Sequence, residues 1–156
     1  MAKLKKVFQI GLVVMDAKKS AEVFCEIFSI DKSNIQLVNM KEIEAIPIKY
    51  QGKLVEAYNF LAIVKLEQME FEFIQYLGGD NNSQKDFYAH HGAGIQHICV
   101  SVEDYDTAIA DMKEYGGTVL VEGGDEQFGY GYMDMREQVG MIFEIYNDNM
   151  SKIMGV

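Results

Sequence analysis

A short segment near the start of the chain returns in its second half: Gln9-Ile10-Gly11-Leu12-Val13-Val14-Met15-Asp16 reappears as His97-Ile98-Cys99-Val100-Ser101-Val102-Glu103-Asp104. The isoleucine, the second valine and the aspartate keep their places. A second pair, Met69-Glu70-Phe71-Glu72-Phe73 and Met141-Ile142-Phe143-Glu144-Ile145, shares the frame Met-x-Phe-Glu-apolar. An internal repeat constrains architecture more than any local propensity, because neither copy can cover its own apolar face alone. The second pair stands closer together in sequence than the first, so the loops of the second half are shorter. Length differences of this kind belong in loops.

Both copies of the first segment read as a strand running into a helix. Ile10, Leu12 and Val14 alternate onto one face, as do Ile98, Val100 and Val102, and this turns Gln9 and His97 to the opposite face. Asp16 and Asp104 are placed to cap the helices that follow. Those helices carry apolar stripes at Ala21, Phe24, Cys25 and Phe28 and at Ala108, Ile109, Met112 and Tyr115, and Gly116-Gly117 ends the second. Further strands are expected near 35–40, 55–64, 118–122 and 130–135, with a short helix near 84–90 joining the halves. The predicted fold is α+β: a single domain over 1–156, built of paired β-α-β-β-β modules at about 7–78 and 94–147. They are expected to form a curved mixed sheet with helices outside and a concave face for a ligand.

The repeat puts four polar residues at matched places: Gln9 and His97 on the first strands, Glu72 and Glu144 on the last. Taken singly, Glu72 reads as a solvated strand residue and His97 as a hydrogen-bonded structural histidine. Taken together, they offer one amide oxygen, one imidazole nitrogen and two carboxylates, a set suited to one divalent ion such as Zn²⁺, Ni²⁺, Co²⁺ or Mn²⁺. His90 and His91 precede a Gly-Ala-Gly stretch and read as linker residues. Cys25 reads as core, and Cys99 either lines the cavity or fills space. Gly129-Tyr130-Gly131-Tyr132 is a glycine-rich strand entry or a cavity wall.

At 156 residues the chain is long enough to bury roughly 70% of its unfolded surface. Its net charge of −10, from 14 basic and 24 acidic residues, argues against nucleic acid as a partner. Arg136 is its only arginine, which limits bidentate clamps on phosphate or carboxylate. No stretch approaches a membrane span or a secretory signal, and two cysteines are too few for a disulfide scaffold, so a cytoplasmic protein is expected.

From Val7 to Tyr146 the chain resembles the vicinal oxygen chelate superfamily, most closely its methylmalonyl-CoA epimerase and glyoxalase I branches. The segments carrying the likeness are Gln9 to Asp16, Gly94-Ile95-Gln96-His97-Ile98-Cys99-Val100 and Met141 to Ile145. The resemblance implies metal ligands at Gln9, Glu72, His97 and Glu144. Epimerases usually have His and Gln where this chain has Gln9 and Glu72, so its donor set is closer to that of some glyoxalase I enzymes. Those enzymes hold glutathione partly through arginines, one of them on the first strand, where this chain has valine; the wording from Gly94 through Gly124 is epimerase-like. A further glutamate that faces the epimerase metal site matches Glu56, which implies Glu56 and Glu144 as the bases of a proton abstraction next to a carbonyl. The implied substrate is an acyl-CoA thioester or a related dicarbonyl, and the implied assembly a homodimer. Two other activities belong to the same resemblance: a glyoxalase-type lyase, and a non-catalytic protein that sequesters drugs.

Overall fold

The computed structural model describes residues 1–43 and 47–156. Along the chain run β1 (Leu4–Val13), α1 (Ala17–Phe28), β2 (Ile35–Asn39), β3 (Ile48–Tyr50), β4 (Lys53–Val55), β5 (Ala57–Lys65), β6 (Glu70–Gly79) and α2 (Ser83–His91). Then come β7 (Gly94–Val102), α3 (Tyr105–Glu114), β8 (Thr118–Gly123), β9 (Tyr130–Met135), α4 (Arg136–Val139), β10 (Met141–Tyr146) and α5 (Asp148–Met154). They form two compact units: one of residues 9–43 and 56–96, the other of residues 1–8, 47–55 and 97–156. No helix among the described residues is long and apolar enough to cross a membrane.

The first unit is a β-α-β-β-β module whose strands lie in the order β2-β5-β6-β1, with β1 parallel to β6 and the other pairs antiparallel. Strand alternation divides its side chains between two faces. Ala62, Val64 and Phe73 turn toward α1 and close a core with Ala17, Ala21 and Cys25, joined by Leu12, Phe24, Phe60 and Phe71. Gln9, Glu70 and Glu72 are left on the other face.

The second unit repeats the plan with β7, α3, β8, β9 and β10, in the order β7-β10-β9-β8, and β7 again runs parallel to β10. Val100, Val102, Met133, Met135 and Ile145 pack under α3 at Ala108, Ile109 and Met112. Full burial of Met133 or Ile145 contributes about 1.5–3 kcal/mol each. His97, Cys99, Tyr132, Ile142 and Glu144 are left on the opposite face.

Both anticipated caps are present, with Asp16 accepting from the Lys19 amide at 3.0 Å and Asp104 from the Thr107 amide at 2.7 Å. The Thr107 hydroxyl and then its amide hold the Asp104 carboxyl below its ordinary pKa, and the Ser33 amide and then its hydroxyl do the same for Asp31. Asp104→Ala is expected to cost about 1 kcal/mol in a denaturant titration, with α3 fraying first in amide exchange. Both apolar stripes run one residue short of expectation: Phe28 and Tyr115 are exposed, because the helices end there at a left-handed Ser29 and at Gly116 with φ +90.

The β3–β4 hairpin, α4 and α5 have no counterpart in the sequence reading. A hairpin of β3 and β4 turns through Gln51 (φ 49) and Gly52 (φ 77) and extends the second unit by pairing with β8. Two successive residues at positive φ make the two-residue turn whose twist suits a hairpin, and Gly52 supplies one of them without strain.

Candidate metal centre

In the first unit, β1 and β6 place Gln9 opposite Glu70 and Gly11 opposite Glu72. In the second, β7 and β10 place His97 opposite Ile142 and Cys99 opposite Glu144. The glutamate therefore stands in both units across from the residue two places after Gln9 or His97, on the face turned away from the helix. Two independent strand pairs have the same register and present the same chemistry.

All four side chains are withdrawn from solvent: Gln9 is 2% exposed, His97 1%, Glu144 6% and Glu72 9%. Burial of so many polar groups is costly unless each meets a partner. His97 Nε2 lies 3.1 Å from Glu144 Oε2, and the Tyr132 ring packs on the imidazole at 4.6 Å between centroids. Gln9 donates from Nε2 to Glu70 Oε2 at 3.1 Å.

Gln9 Oε1 accepts no hydrogen bond from the described residues, and Glu144 Oε2 faces only the His97 Nε2 contact at 3.1 Å, which lacks hydrogen-bond geometry. A dry acceptor costs about 1–3 kcal/mol. Both atoms are electron-pair donors, so the donor chemistry of each unit fits a divalent cation, with an imidazole nitrogen beside the carboxylate in one and an amide oxygen on Glu72's face in the other.

The remaining sequence candidates fall elsewhere. Glu56 lies one residue ahead of β5 rather than within a strand, with an exposed carboxylate that accepts from the Tyr58 hydroxyl. That bond pushes the Tyr58 pKa up. The Glu56 backbone is tied to Asp80 in both directions, at 2.9 and 2.7 Å, beyond a register shift at Tyr58/Asn59. His90 and His91 are exposed on the last turn of α2. Cys25 is core, and Cys99 packs with Phe8 and Tyr146. Tyr130 and Tyr132 join Tyr50, Val121 and Ile142 in an apolar cluster, which makes that glycine-tyrosine segment a packed wall on His97's face. Arg136 is committed to Asp134 through Nε at 2.9 Å and Nη2 at 2.6 Å, and the guanidinium holds the Asp134 carboxyl below its ordinary pKa. Glu70, beside Gln9, carried no sequence signal of its own; the repeat frame pairs it with Ile142 and so hides it.

Among known proteins, a 4-hydroxyphenylpyruvate dioxygenase from Caenorhabditis briggsae is 26% identical over 132 residues, which is 81% of this chain and 30% of that protein. The chain thus spans less than a third of that relative's length. Three solved structures share the fold, each with a TM-score of 0.63. A hypothetical protein from Bacillus halodurans is 18% identical, with 92% of this chain and 94% of that one covered. Methylmalonyl-CoA epimerase from Mycobacterium tuberculosis is 16% identical, at 98% and 93% coverage. A variant of the Streptomyces coelicolor epimerase, in complex with 2-nitronate-propionyl-CoA, is also 16% identical, at 93% and 95% coverage. The sequence profile of the Glyoxalase/Bleomycin resistance protein/Dioxygenase superfamily matches residues 8–133, most of the chain. The resemblance read from the repeat is thereby confirmed, and the chain belongs to that superfamily.

Proposed function

We propose that Gln9, Glu72, His97 and Glu144 together hold one divalent ion, Zn²⁺, Ni²⁺, Co²⁺ or Mn²⁺, and that the protein is a metal-dependent epimerase or isomerase that removes a proton next to a carbonyl. The observation that carries this reading is the shared register, which gives each unit one buried donor on its first strand and one on its last. Held by these four residues, a divalent ion would supply Lewis-acid polarisation of a carbonyl oxygen, which would lower the barrier to enolisation by several kcal/mol.

The chain's own residues supply the rest. Glu144 takes the proton from the carbon beside the carbonyl at its carboxylate, and that C–H bond's electron pair passes into the enolate. Glu56 delivers a proton to the opposite face, which inverts the centre. To close the cycle, Glu144 gives up the proton it took and Glu56 takes one up from solvent. Tyr132 and Ile142 exclude water beside Glu144 on its own sheet face.

A 2-carboxyacyl thioester such as methylmalonyl-CoA is the proposed substrate class. Incubated in deuterated buffer with the metal-reconstituted protein, it is expected to take up label at the carbon between its carbonyls. Absence of exchange would count against the epimerase. Glu56→Gln is expected to abolish inversion while metal affinity stays unchanged, and an unaltered rate of inversion would remove Glu56 from the mechanism.

Two alternatives have less support. A glyoxalase-type lyase needs cationic groups for glutathione, and the only arginine is bound to Asp134; turnover of methylglyoxal with glutathione would nonetheless establish it. An iron dioxygenase site uses two histidines and a carboxylate, whereas His90 and His91 are exposed and leave His97 as the one buried imidazole among the described residues. The exposed Leu37 and Leu54 on the terminal strands β2 and β4 support pairing of two copies. Sedimentation at the mass of one chain across the working concentrations would exclude the homodimer.

A further inference from the structure

We propose that Glu70 is a positioning residue that fixes which end of the Gln9 amide is offered to the cation. This role rests on Gln9 being a ligand.

A glutamine side chain has two ends of nearly equal size, of which only the oxygen has a lone pair for a cation. Unless something distinguishes them, rotation by half a turn presents the NH₂ group instead, which cannot coordinate. Glu70 supplies the distinction. It lies directly opposite Gln9 in the parallel β1–β6 register, on the same sheet face, and Gln9 Nε2 donates to its Oε2 at 3.1 Å. A carboxylate offers lone pairs and no proton, so it favours the nitrogen on its side and turns Oε1 away from itself. That oxygen is the buried atom that accepts no hydrogen bond from the described residues.

The second unit serves as an internal control. The residue that occupies Glu70's register position there is Ile142, opposite His97. An imidazole is not an amide with interchangeable ends, and its neighbour on the strand is apolar. An acidic neighbour accompanies the amide donor and is absent beside the imidazole donor, which is the difference expected if its task is to orient an amide. Groups hydrogen-bonded to a metal ligand typically change metal affinity 10–100-fold when removed.

The test is a double-mutant cycle on Co²⁺ affinity, measured by chelator competition, with the thermal unfolding of the metal-free proteins as the folding control. Gln9→Ala is expected to weaken Co²⁺ binding strongly. Glu70→Ala is expected to weaken it about 10–100-fold, Glu70→Gln to restore most of the loss through its own amide oxygen, and Glu70→Ala to add nothing in the Gln9→Ala background. If Gln9→Ala weakens binding and Glu70→Ala does not, the positioning role is overturned while the four-donor reading stands. Losses that simply add would overturn it too, since Glu70 would then act independently of Gln9. If Gln9→Ala leaves affinity unchanged, Gln9 is not a ligand and both fail.

Discussion

Replacing His97 with glutamine is expected to lower the affinity for Co²⁺ or Zn²⁺ by more than the roughly 100-fold that follows loss of a group merely hydrogen-bonded to a ligand. Among the described residues His97 is the only buried histidine, and its Nε2 lies 3.1 Å from Glu144 Oε2. Glutamine is preferred to alanine here because emptying the position would leave the Glu144 carboxylate buried beside a cavity. Removing one member of a buried pair typically costs about 3–5 kcal/mol and would confuse loss of metal with loss of fold. Chelator competition measures the affinity, and circular dichroism of the metal-free variant confirms folding. Undiminished affinity in a folded variant would exclude His97 as a ligand.

Glu144→Gln separates holding the ion from moving the proton. The amide retains an oxygen at the same reach but has no basic carboxylate, so the rate of deuterium exchange into substrate is expected to fall by about 10²–10⁴. Metal affinity is expected to drop far less than in His97→Gln, and the loss should appear in kcat rather than KM, because the proton is transferred only in the transition state. Exchange at the unmodified rate would show that Glu144 is not the base.

Much of the fold and the candidate centre was legible because both rest on alternation. Once Ile10, Leu12 and Val14 are assigned to a core face, Gln9 must point the other way, and the same holds for Ile98, Val100 and His97. The frame Met-x-Phe-Glu-apolar fixes Glu72 and Glu144 likewise, and the strand registers bear out that placement. Asp16 and Asp104 were readable as caps because capping is local.

What sequence left obscure is decided by tertiary pairing. The run from Ile48 to Val55 has a three-residue strand on each side of its turn, too short for alternation to register, and its partner β8 is distant in the chain. Glu56 was expected on a strand, but next to the register shift at Tyr58/Asn59 its amide donates to the Asp80 carboxylate and its carbonyl accepts from the Asp80 amide, so that β5 begins only after it. Glu70 is silent in the sequence because a lone glutamate on a strand is usually a solvated outer residue; only the parallel register with β1 shows it beside Gln9.

X-ray absorption of the Co²⁺- or Zn²⁺-loaded protein examines the proposed donor set most directly. The predicted result is one ion per chain, with a shell of nitrogen and oxygen at about 2.0–2.2 Å that contains a single imidazole and no sulfur. Sulfur at about 2.3 Å would contradict it by bringing in a cysteine such as Cys99, which stands opposite Glu144 in the strand register. A shell without imidazole would contradict it as well, since His97 would then lie outside the centre.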